Sequence, residues 1–269
     1  MNQSQFQKRY GPWAVVTGAS DGIGQAFARQ LAALGMNLVV TARRTDRLQQ
    51  LAQELQDEHG IRALVVSADL STAEGLLQVE QAARDLDVGL LVASAGYGTS
   101  GPFLRSNLER ERNMLAVNCF AVLEQCIVFG HRFCSRGRGG MILMSSLVGW
   151  QGVPQSAHYA ATKAYVQSLA EALRIELKPK GIDVLASAPG PVHSGFAKQA
   201  DMRMNAAVLP RAVAKASLEA LGRKGTVIPG GLSKLLTYSL LPLPRPLRTR
   251  ILAQVMGGMT KHQTIGATV

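Results

Sequence analysis

Aromatic residues make up only 5% of the 269 residues, and charged residues only 17%, while 47% are hydrophobic. That balance excludes a disordered chain and predicts a large core built from aliphatic side chains. Cysteine is scarce. Cys119, Cys126 and Cys134 are odd in number, fall in one helical pattern and lack CxxC spacing. They argue against a zinc or disulfide framework, so no metal site is expected and a reducing compartment fits. No charged-then-apolar leader opens the sequence, and no uninterrupted apolar run reaches the roughly 18 residues of a membrane span. The expectation is a cytoplasmic protein, soluble or peripheral on a membrane.

Acidic residues are also missing where basic ones are dense. After Glu219 there is none, whereas Arg223, Lys224, Lys234, Arg245, Arg248, Arg250 and Lys261 contribute seven of the eleven units of net positive charge. Interleaved with "LLTYSLLPLPRPLRTRIL", this charge suits an anionic membrane surface. A basic tail packed on its own domain or on a partner subunit accounts for it with fewer assumptions. No nucleic-acid reading motif accompanies the charge, so no nucleic-acid partner is expected.

Short aliphatic runs alternate with helical patterns along the chain. "WAVVTG" from 13, "NLVVTA" from 37, "RALVVSA" from 62, "GLLVASAG" from 89, "GMILMSS" from 140, "DVLASAP" from 183 and "TVIPG" from 226 read as strands. They are apolar at both alternating positions, as strands covered on both faces must be. Gly35 and Gly60 end two intervening helical patterns as C-caps. The prediction is an α/β protein with a seven-stranded, parallel, doubly wound sheet and helices on both faces. No linker divides residues 1–229, which read as one nucleotide-binding catalytic domain. From 230 to 269 the pattern loosens among prolines, and this segment reads as a basic extension of the same domain.

Three motifs carry chemistry. "VVTGASDGIGQAFA" ends a strand at Gly18 and opens a helix near Gly24, with Gly22 between them, a GxxxGxG turn. Such glycines let the backbone approach a pyrophosphate at a helix N-terminus. The second strand ends with Ala42, Arg43 and Arg44, with no carboxylate before Asp46. An acid there would repel a 2′-phosphate and an arginine would pair with it, so NADP(H) is expected over NAD(H).

The third motif is "LMSSLVGWQGVPQSAHYAATK", in which Ser146 precedes Tyr159 by thirteen residues and Lys163 follows it by four. An isolated phenol titrates near pH ~10, too high for a good acid at neutral pH. On a helix, i and i+4 side chains are neighbours, and a fixed ammonium favours the phenolate. By itself this spacing also suits an ordinary helix; the serine at a strand's carboxyl end and the glycine turn make it a candidate proton donor.

The chain resembles the short-chain dehydrogenase/reductase family in its single-domain (Rossmann) branch. The matching residues are "TGASDGIG" at 17–24, Asp69 in "ADL", "ASAG" at 93–96, Asn118 in "AVN", Ser146, "YAATK" at 159–163 and "PGPVHS" at 189–194. The resemblance implies that Tyr159 is the acid in ketone reduction and the base in alcohol oxidation. It implies that Lys163 lowers its pKa and holds the nicotinamide ribose, that Ser146 holds the substrate oxygen, and that Asn118 positions a water beside Lys163. Cofactor contacts are implied for Gly18, Ser20, Asp21, Gly22, Ile23, Gly24, Arg43, Asp69, Leu70, Ala95 and Gly96. They are implied too for Asn118, Tyr159, Lys163, Pro189, Gly190, Val192 and Ser194. Two residues depart from the family pattern: Ser94 replaces an asparagine, and Ser194 stands where threonine is common.

The implied function is an NADP(H)-dependent oxidoreductase of a carbonyl/secondary alcohol pair, acting as a reductase of a fairly apolar ketone or aldehyde. The implied assembly is a homodimer or homotetramer formed through the helices bearing Asn118 and Tyr159. A catalytically idle NADPH-binding scaffold is the rival. His158 reads as structural, since adjacent helical positions face different ways, and His193 as a weak candidate for substrate contact. Met202, Met204 and Phe196 read either as an apolar substrate cover or as ordinary packing.

Overall fold

A computed structural model describes residues 3–204 and 207–265. The seven expected strands are present: β1 (Trp13–Thr17), β2 (Asn37–Ala42), β3 (Ala63–Ser67), β4 (Val88–Ala93), β5 (Gly139–Met144), β6 (Ile182–Ser187) and β7 (Thr226–Val227). They form one sheet in the order β3-β2-β1-β4-β5-β6-β7, with every pairing parallel. β1, β4, β5 and β6 are buried along their whole length. That is why they read as continuous apolar runs rather than alternating ones.

One apolar layer includes Phe27, Leu31, Leu38 and Leu90 on one face of the sheet, and the other includes Val39, Leu91, Phe129 and Val184. The first layer holds α2 (Gly22–Ala33) and α3 (Thr45–His59), with α9 (Pro210–Ala220), the helix that follows the one-turn α8 (Phe196–Gln199), packed beside α2. α3 ends at Gly60 in the left-handed conformation (φ 66°), as expected of a glycine C-cap. The second layer holds α4 (Ala73–Ala83), α6 (Ala121–Arg136) and α7 (Ala157–Leu177). α1 (Gln3–Tyr10) is stapled to the sheet by Arg9 and Tyr10, which both donate to Asp183 Oδ2, at 2.6 and 2.9 Å.

α5 (Leu108–Leu115) runs into α6 through a π-helical turn, Ala116–Phe120. The combined stretch is long and apolar enough to span a bilayer by composition, but half of its apolar window is buried inside the domain. It is a core helix of the second layer.

Residues 231–265, within the segment expected to be a basic extension of the domain, are largely helical. The loosened pattern contains two helices, α10 (Gly231–Leu240) and α11 (Arg245–Ile265). Leu240, Leu252 and Met256 pack with Val153 and Ala160 in a separate small core. α11 carries Gly257 and Gly258 and little amphipathic contrast, so tertiary packing rather than helix propensity holds it.

Candidate active site

β1 and β4 are neighbours in space, but the chain leaves them in opposite directions across the sheet. Their carboxyl ends open a crevice, the place where doubly wound sheets bind ligands. A cavity of about 900 Å³ occupies it, running from Arg43, Arg44 and Arg47 at one end to Met202, Met256 and Met259 at the other.

The floor of the first half is the glycine turn. Gly18 has φ 67°, and a Cβ there would stand 2.9 Å from Ala95 Cα; a Cβ on Gly24 would collide with the Gly18 carbonyl. The turn therefore packs backbone on backbone. Asp21 precedes α2 without capping it through its side chain, so the first amide hydrogens of the helix are left for a ligand. Arg44 donates from Nε and Nη2 to Ser20 Oγ at 3.2 and 3.0 Å and lies 3.6 Å from Asp21 Oδ2. Burial raises the Asp69 carboxyl, but the Ser71 N–H and hydroxyl that it accepts, together with the Arg43 charge, outweigh this and lower it overall.

The replacement of asparagine by Ser94 has a structural answer. Thr17, fully buried at the end of β1, accepts from the N–H groups of Ser94 and Ala95, both at 3.0 Å, and donates to Val92 O at 3.5 Å. One threonine hydroxyl braces the loop after β4 against β1.

The second half of the cleft is built on β5, α7 and the loop after β6. Ser146 stands two residues beyond β5 and caps a short helical turn, where its Oγ accepts from Val148 N and donates to Pro189 O, both at 3.4 Å. Tyr159 and Lys163 stand one turn apart on α7 and both line the cleft. Burial raises the Tyr159 phenol and a hydrogen bond with Ser146 opposes it; the expected downward pull of Lys163 is not a leading influence here. The Lys163 ammonium lies 5.7 Å from the phenol ring centroid and donates to Met144 O at 2.9 Å. Burial lowers Lys163 to about 8 while Cys119 pulls the other way. Phe196 packs on the Tyr159 ring with centroids 5.3 Å apart.

Of the residues expected at the site, Asn118 alone does not line the cleft. Its side chain is fully buried, accepting from Tyr97 N at 3.1 Å and donating to Tyr97 O at 2.9 Å and Thr162 Oγ1 at 3.0 Å. Asn118 ties the loop after β4 to α7 from within the π turn, a feature common at functional sites. The spacing of "AVN" does not reveal this direction.

Sequence reasoning also missed Arg47 and the lining supplied by Leu236, Leu252, Val255, Met256 and Met259. Arg47 lies in the first turn of α3, four positions after Arg43, a signal that was available. Met202, Met204 and Phe196 do line the cavity. His193 is exposed and outside it. His158 is structural, with Nδ1 2.7 Å from Glu111 Oε2, a carboxylate that also accepts from Thr99. Cys119 and Cys126 are buried as packing residues.

The residues present fit a dinucleotide. An uncapped helix N-terminus, glycines without room for a Cβ and an arginine cluster meet the needs of pyrophosphate and ribose, and a titratable tyrosine faces the far half. Fold and cleft together define an oxidoreductase of the dinucleotide-binding class. The family model for short chain dehydrogenases matches residues 12–205, and the chain belongs to the short-chain dehydrogenase/reductase family.

The chain is 32% identical over 233 residues to a 7beta-hydroxysteroid dehydrogenase of Clostridium sardiniense, which covers 85% of this chain and 89% of that one. A structure of a 7beta-hydroxysteroid dehydrogenase matches with a TM-score of 0.86 at 27% identity, covering 94% of this chain and 99% of the other. A short-chain dehydrogenase from Sphingobium yanoikuyae in complex with NADPH matches with a TM-score of 0.78 at 29% identity, covering 86% and 92% respectively.

Proposed function

We propose that this protein is an NADP(H)-dependent reductase of a bulky, apolar ketone, of the size and character of a steroid, with the secondary alcohol as product. The observation that carries this reading is the continuity of one cleft. It joins the arginine cluster and glycine turn to Ser146, Tyr159 and Lys163, and these in turn to a chamber lined with methionine and aliphatic side chains.

The amide hydrogens at the start of α2, with Gly18, Ser20, Asp21, Gly22, Ile23 and Gly24, hold the pyrophosphate. Arg43 and Arg44 pair with a 2′-phosphate. Asp69 and Leu70 border the adenine, Ala95 and Gly96 the central part, and Pro189, Gly190, Val192 and Ser194 the nicotinamide. When bound, the nicotinamide supplies the hydride.

The protein's own part is alignment and a proton. Ser146 donates to the carbonyl oxygen of the substrate and holds it beside Tyr159. The Tyr159 hydroxyl gives its proton to that oxygen as negative charge develops there, and takes it back in the reverse direction. Burial keeps the phenol protonated at neutral pH, the form that reduction requires. Lys163 carries positive charge at the same pH, because its value of about 8 lies above neutrality, and adds only a minor stabilisation of the phenolate beside the Ser146 hydrogen bond.

α11 forms one wall of the chamber and is tied to the segment 196–204: Arg203 N donates to Met259 O at 3.0 Å, and His262 meets Asp201 at 2.9 Å. Methionines adapt to a large apolar surface better than branched side chains do. The similarity to 7beta-hydroxysteroid dehydrogenases supports a rigid, multi-ring substrate.

Two copies associate through α6 and α7, where Phe120, Ile127, Tyr165 and Ile175 stand exposed on the apolar outer surface of the second layer. The function is tested by following NADPH and NADH consumption over a panel of keto-steroids and small ketones. Consumption of NADPH with the keto-steroids is expected. Turnover confined to small polar ketones, or to NADH, overturns the reading.

A further inference from the structure

α10 carries apolar side chains on its outer face as well as its inner one. Its polar residues Ser233 and Thr237 face the domain at 4% and 6% exposure, and the Thr237 hydroxyl is satisfied by Ser233 O at 2.8 Å. Leu232, Leu235 and Tyr238 face outward at 62%, 67% and 61%. A spacing of three keeps these side chains on one side of the helix. Leu241 and Leu247, each 42% exposed, continue the apolar surface through the turn into α11.

The charges interleaved with this surface are all positive. Lys234, Arg245 and Arg250 are exposed, and none of them pairs with a carboxylate among the described residues. Arg248 is spent locally, on the carbonyls of Leu243 and Leu241. An exposed apolar face of this kind needs an occupant.

We propose that the outer face of α10, with the start of α11, docks on an anionic lipid bilayer. Leu232, Leu235 and Leu247 enter the headgroup boundary, Tyr238 lies at that level as an amphipathic ring, and Lys234, Arg245 and Arg250 pair with lipid phosphates. Charge decides against a second copy of this chain as the occupant. A two-fold contact places the same surface on both sides, so these cations would meet their own counterparts. No acidic residue after Glu219 could neutralise them.

The inner faces of the same helices, through Leu236, Leu252 and Val255, line the chamber. The docked protein thus holds its apolar cavity next to the lipid phase. The docking itself is independent of the catalytic reading, because its test needs no turnover.

The test is flotation of the full-length protein with vesicles of phosphatidylcholine alone, and of phosphatidylcholine mixed with phosphatidylglycerol. It is repeated for the triple variants Leu232→Ser/Leu235→Ser/Tyr238→Ser and Lys234→Gln/Arg245→Gln/Arg250→Gln. The unaltered protein is expected to float with the anionic vesicles and hardly with the neutral ones. Either triple variant is expected to lower the bound fraction by at least roughly tenfold, given the contribution of each cation near such a surface. Circular dichroism shows that the variants stay folded.

Failure of the unaltered protein to float, or flotation of both variants at the parent level, overturns the proposal. So does concentration-dependent self-association that the leucine variant abolishes without any vesicle binding, which would assign the face to a second copy.

Discussion

Asn118 and Thr162 are 44 positions apart and share a buried hydrogen bond, Nδ2 to Oγ1, of 3.0 Å. Thr162 in turn donates to Tyr159 O at 2.8 Å. The π turn thus reaches α7 through one hydrogen bond and the backbone carbonyl of Tyr159 through a second. The same asparagine holds both backbone groups of Tyr97.

Asn118→Ala is expected to strand these buried groups, at roughly 1–3 kcal/mol for each one left unpaired. It should lower both the melting temperature and kcat, and change KM less. Asn118→Asp, which keeps the acceptor for Tyr97 N–H, is expected to recover part of the stability. Loss of turnover with an unchanged melting temperature would show that Asn118 acts on the chemistry directly rather than through position.

The arginine cluster gives a cofactor prediction. Arg44 is already oriented by Ser20, and the Arg43 charge is felt at Asp69. Replacing either by alanine removes a proposed partner of the 2′-phosphate and is expected to raise the NADPH dissociation constant roughly tenfold or more. NADH binding should change by less than about twofold, since it lacks that phosphate. Titration by fluorescence measures both, and equal effects on the two cofactors would contradict the assignment.

The pH dependence follows from the direction of each shift. Burial raises Tyr159, so near neutral pH the phenol form dominates and the phenolate fraction grows about tenfold per pH unit. Alcohol oxidation, which needs the phenolate, should climb as pH rises toward 8. Ketone reduction, which needs the phenol, should stay level there and decline once Lys163 loses its charge near its value of about 8. Paired pH profiles of kcat/KM in the two directions check this. Reduction that climbs with pH through neutrality would contradict it.

Association through α6 and α7 predicts a sharp response at Ile127, which is 51% exposed and seven residues from Phe120 on the same helical face. Ile127→Glu would bury a charge in that proposed interface and is expected to yield monomers by light scattering. An unchanged mass would place the contact elsewhere.

The parts of the site legible in the sequence are those fixed by local rules. Gly18, Gly22 and Gly24 mark a strand–turn–helix unit, and Tyr159 and Lys163 share a helix face by spacing. The seven strands were readable because double-sided burial leaves uninterrupted Val, Leu and Ile runs. What escaped depends on contacts distant along the chain. Thr17 braces Ser94 across 77 positions, and Asn118 turns its amide away from the cleft toward Tyr97 and Thr162. α11 was unreadable as a chamber wall because its glycines and scattered cations blur the apolar period, and it takes its place by packing on Val153 and Ala160.

Tyr159 is proposed to supply the proton at the end of the cleft that takes the cofactor. The most direct test of this claim is Tyr159→Phe, measured for turnover of a keto-steroid with NADPH and, separately, for NADPH affinity. The substitution removes one oxygen and keeps the ring that packs on Phe196. Turnover is expected to fall by roughly 10²–10⁴, the usual contribution of a positioned general acid, with the NADPH dissociation constant within about threefold of the parent. Turnover equal to the parent's would contradict the claim.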